Sequence, residues 1–175
     1  MPEELPKFVD PRRLLAQGGN INGTISPRRL RRVGPPYIPS RPVIVALEIS
    51  REERGRPHIT GRVETEIDAT CQRCLGKMIV TVEQLVDIVL VGDGEPPIAD
   101  DGDTPEPVTC EDGRFDIERF VEGEVVLACP MIPMHDDPKC HASPSDDGVG
   151  SAVRKKPFAD LADMLTEREK SKSDN

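Results

Sequence analysis

Four of the chain's eight cysteines and histidines are spaced to hold one metal ion. Cys71-Gln-Arg-Cys74 supplies one pair and His135-x4-Cys140 the other. Three thiolates and an imidazole complete a tetrahedral Zn2+ shell of the Cys3His type. All four positions would be protein ligands, which marks a structural ion; a catalytic one keeps an open position. A Cys-x-x-Cys turn aims both sulfurs at a point about 2.3 Å from the metal. Leu75 and Gly76 continue that turn at little cost. Pro133 and Pro138 stiffen the second half-site and so reduce the entropy lost on binding. Asp136 and Asp137 are candidate acceptors for the imidazole N–H, and His141 is an alternative ligand to His135 or Cys140. The plainer arrangement is a reduced, partly buried cysteine pair with His135 at the surface.

Two catalytic readings use the same residues. A thioredoxin-like thiol oxidoreductase places its first cysteine at the start of a helix that follows a strand. Here a strand-like run, Met78-Ile-Val-Thr-Val82, follows the motif instead. A Cys71 or Cys74 nucleophile paired with His135 lacks a third orienting group at any recognisable spacing. The chain is therefore expected not to be an enzyme and to have no small-molecule substrate.

The elements that must position these donors come from a chain of 175 residues, 36% hydrophobic, with 18 prolines and 14 glycines. Aromatics are confined to Phe8, Tyr37, Phe115, Phe120 and Phe158, so the core must be built from Val, Ile, Leu and Met. No apolar run approaches the ~20 residues of a membrane helix. The opening MPEELPKFVD lacks the apolar stretch of a signal peptide. A cytoplasmic protein is expected, in which an odd five cysteines serve as thiols, not as a disulfide framework.

Val43, Val45, Leu47 and Ile49 alternate as in a strand; so do Ile59, Val63, Ile67 and Ala69, and then Val80, Val82, Val86, Ile88 and Leu90. Turn signals at 54–57 and 71–76 join them into an antiparallel meander with Cys-x-x-Cys at a hairpin tip. Asp116 caps a helix over 116–129, with Ile117, Phe120, Val121 and Val125 on one face and Pro130 as its stop. The expected fold is α+β: a meander of at least three strands packed by one main helix, with flexible termini and an acidic loop. That loop, 92–112, has eight acids, no base and four prolines; it is expected to lack fixed structure, with Cys110 a bystander. Residues 1–42 read as a basic, proline-rich N-terminal segment, 43–141 as the core, 142–156 as a linker and 157–175 as a short helix with a polar tail. Within the first segment, GGNING is turn-prone, Ser26-Pro27 opens a short helix to Arg32, and 34–42 is an extended connector.

The net charge of −9 is unevenly spread. Residues 1–56 carry 11 Lys/Arg against 6 Asp/Glu (+5), and 57–175 carry 12 against 26 (−14). A basic front can meet a polyanion, whereas the acidic remainder repels one. The candidate contacts are Arg12, Arg13, Arg28, Arg29, Arg31 and Arg32, with Arg73 at the hairpin tip, because guanidinium forks match phosphate oxygens. The plain alternative is that these arginines pair with acids such as Glu122 and Glu124. Scarce aromatics argue against base stacking as the mode of recognition.

Three blocks in order carry a more specific signal: CQRCLG at 71–76, FDIERFVEGEVVLACPMIPMHDDPKC at 115–140, and KPFADLADML at 156–165. In these the chain resembles the YceD family of large ribosomal RNA subunit accumulation proteins. Cys129 departs from the family pattern, which has an apolar residue such as Leu there. The resemblance implies a non-enzymatic factor for synthesis, processing or stability of 23S rRNA. It brings no catalytic residues and leaves the metal open. The expected partners are large-subunit rRNA or its precursor, and a ribosomal protein or assembly factor; no membrane is expected. A protein–protein adaptor without RNA contact is the alternative.

Overall fold

A computed structural model describes residues 3–52, 55–92 and 105–141. Its centre is the expected meander. After β1 (Phe8–Val9), α1 (Pro11–Ala16), β2 (Asn20–Ile25), a single 3-10 turn (Pro27–Arg29) and β3 (Tyr37–Ile38), the chain enters β4 (Val43–Arg51), β5 (Pro57–Thr70) and β6 (Lys77–Gly92). β7 (Glu106–Cys110), β8 (Phe115–Asp116) and α2 (Ile117–Ala128) complete it. The main sheet runs β2-β4-β5-β6-β7, with β3 paired to the far end of β5 and a separate ribbon made by β1 and β8.

Strand alternation decides which face is buried. Val43, Val45 and Leu47 of β4, Ile59, Val63 and Ile67 of β5, and Val82, Val86 and Ile88 of β6 lie on the inner face. Each fully buried side chain of this size contributes roughly 1.5–3 kcal/mol. α2 packs on this face through Ile117, Val121 and Val125, all fully buried at helical spacing. Asp116 caps it, accepting from the Arg119 N–H at 2.9 Å. β4 and β5 approach so closely at Gly61 (φ 143°) that a Cβ there would collide with the Ala46 carbonyl oxygen.

The N-terminal segment is woven into the same core. Leu5, Ile21, Ile25, Leu30, Val33 and Tyr37 belong to its cluster. GGNING is not simply a turn, because Asn20–Ile25 pairs antiparallel with β4. Ile21, Gly23 and Ile25 face inward, and Gly23 leaves room for Leu5 and the Glu3 carbonyl. The helix expected up to Arg32 shrinks to Pro27–Arg29, and Ser26 makes no side-chain cap. The extended connector at 34–42 touches β5 through Tyr37 and Ile38.

The acidic stretch divides. Residues 93–104 lie outside the described residues, as do the expected linker and C-terminal helix. Glu106–Cys110, by contrast, is a strand parallel to the end of β6. Pro107 is tolerated because an edge strand leaves one side of its backbone unpaired. Cys110 is 5% exposed and belongs to the core, which corrects its reading as a bystander.

Packing of this kind predicts an asymmetry along one sheet. Ile67→Ala, at a 1% exposed position, should lower unfolding free energy by about 2–5 kcal/mol, while Leu85→Ala, 76% exposed, should change it by under ~0.5 kcal/mol, as read by urea titration.

Candidate metal centre

The β5–β6 hairpin closes on the Thr70–Lys77 pair, leaving Cys71–Gly76 as its tip. The Cys71 N–H donates to the Gly76 carbonyl and the Leu75 N–H to the Cys71 carbonyl, both at 2.9 Å. Leu75 takes a left-handed φ of 60°, which folds the tip over its own sulfurs. A Cβ on Gly76 would press on the Cys74 sulfur at 3.2 Å, so the smallest residue suits this position. The N–H groups of Arg73 and Gly76 point at the Cys71 and Cys74 sulfurs, each at 3.4 Å.

The second half-site follows α2. Pro130 ends the helix, and its carbonyl accepts a hydrogen bond from the Tyr37 hydroxyl. The turn then reaches the hairpin tip, where the Gln72 N–H donates to the Pro133 carbonyl at 2.8 Å. Asp137 shapes the last bend, its carboxylate accepting from the Lys139 N–H at 2.8 Å and its carbonyl from the Cys140 N–H at 3.0 Å.

Four donors meet between the two loops. The ligand atoms of Cys71, Cys74, His135 and Cys140 all lie within 4.8 Å of one another. The Cys71 and Cys140 sulfurs are 3.7 Å apart, and His135 Nδ1 lies 3.4 Å from the Cys74 sulfur and 3.3 Å from that of Cys140. Tetrahedral Zn2+ requires about 3.8 Å between sulfurs and about 3.5 Å between sulfur and nitrogen. The donor set therefore fits a metal ion in both chemistry and spacing. His135 Nε2 lies 3.2 Å from the Lys77 carbonyl, so with Nδ1 as ligand the other nitrogen carries the proton and donates it there. This acceptor replaces Asp136 and Asp137, which are exposed and do not bond the ring. His141 is exposed and outside the cluster.

The thiols are electrostatically unequal. Burial raises the Cys71 thiol, but N–H groups of Cys74, Arg73 and His135, with the Cys140 thiol, outweigh it and bring the pKa down to about 5. Burial, bonding to Cys74 and Cys71, and the charge of both push Cys140 up to about 11. Cys129, at the end of α2, is raised by burial and belongs to no donor group among the described residues.

The arginines separate by use. Arg29 bonds Glu118 through Nε at 2.6 Å and the Leu5 carbonyl at 2.7 Å; Arg32 bonds Glu122 through Nε at 2.8 Å and the Arg119 carbonyl at 2.8 Å. Both tie the N-terminal segment to α2. Arg73 turns back onto the cluster, donating to the carbonyls of Cys140 at 3.3 Å and His135 at 3.4 Å. It braces the second half-site, a role its position between two cysteines hinted at and its charge obscured. Arg12, Arg13, Arg28 and Arg31 are exposed, and their guanidinium groups have no ion-pair partner among the described residues.

The hairpin tip, α2 and the post-helix turn all lie within the stretch that carries the similarity to known proteins. The family described as large ribosomal RNA subunit accumulation protein YceD matches over residues 59–173. A Haemophilus influenzae protein named large ribosomal RNA subunit accumulation protein YceD is 32% identical over 111 residues, covering 59% of this chain. The chain spans 63% of that relative's length. No solved structure matches. With about two thirds of its length matched, metal-type cluster included, this chain belongs to the YceD family.

Proposed function

We propose that the protein is a non-enzymatic cytoplasmic factor that supports accumulation of large-subunit rRNA, built around a structural zinc clip. The observation that carries the reading is the Cys3His cluster at the meeting of hairpin tip and post-helix turn, inside the stretch shared with the accumulation family. Zn2+ bound by all four donors would have no open position for a substrate or activated water. Its work would be to join two loops that are far apart in sequence. The exposed arginines, Arg12, Arg13, Arg28 and Arg31, would then supply phosphate contacts with rRNA or its precursor. Against an oxidoreductase, the Cys-x-x-Cys lies between two strands and not at a helix start.

An adaptor that binds protein instead of RNA is the second reading, and a separate observation favours it. Leu127, Met131 and Ile132, at the end of α2 and in the turn after it, are 80%, 95% and 59% exposed. Flexible, polarizable methionine suits such docking surfaces.

Purified protein should contain one zinc per chain by elemental analysis. Cys74→Ser should lower the Tm by about 10 °C or more, the size expected if several kcal/mol of metal binding are lost, at ~2–4 °C per kcal/mol. Cys129→Ser should shift it far less; equal shifts would remove the clip from the reading. Cys110→Ser is no suitable control, because Cys110 is a core residue.

Metal uptake should release protons. At pH 7 Cys71, with its pKa near 5, is already a thiolate, while Cys140, near 11, must lose its proton to bind. Apparent zinc affinity should therefore rise with pH through neutrality and collapse below about pH 5, measured by competition with a chromophoric chelator.

Direct rRNA binding should weaken log-linearly with salt, by ~0.7 per phosphate contact to single strands. Arg28→Gln with Arg31→Gln should reduce that slope. Absence of any affinity for 23S rRNA fragments at low salt would favour the adaptor.

A further inference from the structure

A cleft of about 590 Å3 lies away from the metal centre, between α1 and the β4–β5 turn. Three arginines line it: Arg12 on α1, Arg51 at the end of β4 and Arg56 in the turn just before β5. No acidic residue is among its described lining. In a chain of net charge −9 that grouping stands out. Two other clefts mix signs: one beside α2 sets Glu106, Glu111 and Glu124 among Arg32, Arg114 and Arg119, and one on the outer sheet face sets Glu64, Glu66 and Glu83 around Arg41.

We propose that this cleft binds the sugar–phosphate backbone of an RNA strand, with Arg12 and Arg51 holding a phosphate. The inference rests on the rRNA reading above and gives it a location. Arg12 is exposed, and its guanidinium has no partner among the described residues; only its backbone N–H is used, in the cap by Asp10. Arg51 is exposed and spends a single N–H on the Gly55 carbonyl at 3.3 Å, which orients the fork and leaves its other donors available. The floor is apolar, with Leu90 buried and Leu15 half-buried, and it suits the face of a ribose. A planar guanidinium matches two phosphate oxygens at once. With no aromatic in the lining, recognition is of the backbone and not of base sequence.

Amide NMR on the zinc-loaded chain tests the assignment through the backbone N–H groups of Gly55, Gly92 and Gly113, which line the cleft. Titration with a single-stranded RNA decamer should shift these three amides. Inorganic phosphate should shift them only at much higher concentration, because it lacks the sugar that covers the floor. Arg12→Gln with Arg51→Gln should abolish the shifts, weaken RNA binding tenfold or more, and lower the salt slope by ~0.7, the loss of one phosphate contact. RNA that shifts only residues near Arg28 and Arg31 would overturn the cleft while leaving the rRNA reading intact. RNA that shifts nothing would overturn both. A hexaglutamate peptide shifting the same glycines as tightly as RNA would replace the nucleic-acid assignment with a protein one.

Discussion

The arrangement around the donor cluster depends on convergence of two loops that bury little apolar surface where they meet. One is the tip of a β-hairpin; the other is the turn after a helix. Apart from Cys71 and Pro133, their side chains near the contact are half-exposed or exposed, and most of the residues that bond across it are polar or sulfur-bearing. What holds them is a concentration of directed interactions: the Gln72 N–H on the Pro133 carbonyl, Arg73 across the carbonyls of His135 and Cys140, and the His135 ring bridging the Lys77 carbonyl and the thiol group. Each such bond is worth about 0.5–1.5 kcal/mol net, more where charge assists. None alone would order the turn against its conformational entropy. A metal ion would add a common centre to which all four donors point, and the backbone is already folded to present them.

The join between the N-terminal segment and α2 is held by different physics. Arg29 and Arg32 leave the N-terminal segment to meet Glu118 and Glu122, one helical turn apart on α2. Glu122 is only 7% exposed, so its charge needs the Arg32 partner to be tolerable inside the fold. Replacing the Arg32 side chain would leave that carboxylate with a backbone N–H but no counter-charge, which is why these two arginines are better regarded as parts of the scaffold than as contacts for a polyanion. The basic character of the first 56 residues is thus partly consumed internally, and the charge available to a partner is smaller than composition suggests.

Much of this was legible in the sequence, for reasons that differ by element. The three long strands announced themselves through period-two alternation, and α2 through its cap, its apolar stripe and Pro130. The four donors were legible because cysteine and histidine are scarce and their spacing is restrictive. β2 and β7 were not, because Asn20–Ile25 carries a glycine and two asparagines and Glu106–Cys110 a proline. Both owe their strand conformation to pairing with β4 and β6, a tertiary effect that outweighs local propensity. The imidazole's acceptor was hidden for another reason. It is a backbone carbonyl, at Lys77, and the sequence pattern carries no mark of which carbonyl will face a ring.

These contrasts bear on what the fold is suited to do. The donor cluster sits where the post-helix turn carries its most exposed apolar side chains, Met131 and Ile132, close behind Leu127. Exposed apolar groups on a loose loop would cost entropy twice, once to order the loop and again to bind. Fixing the loop to a rigid hairpin removes the first cost before any partner arrives. An arginine-lined cleft on the far side of the molecule would add an electrostatic contact that attracts a phosphate backbone from a distance but discriminates little among sequences. A preorganised turn and a separate cationic cleft on one folded unit would reinforce each other if both were occupied, because two weak contacts made by one body bind far more tightly than either alone.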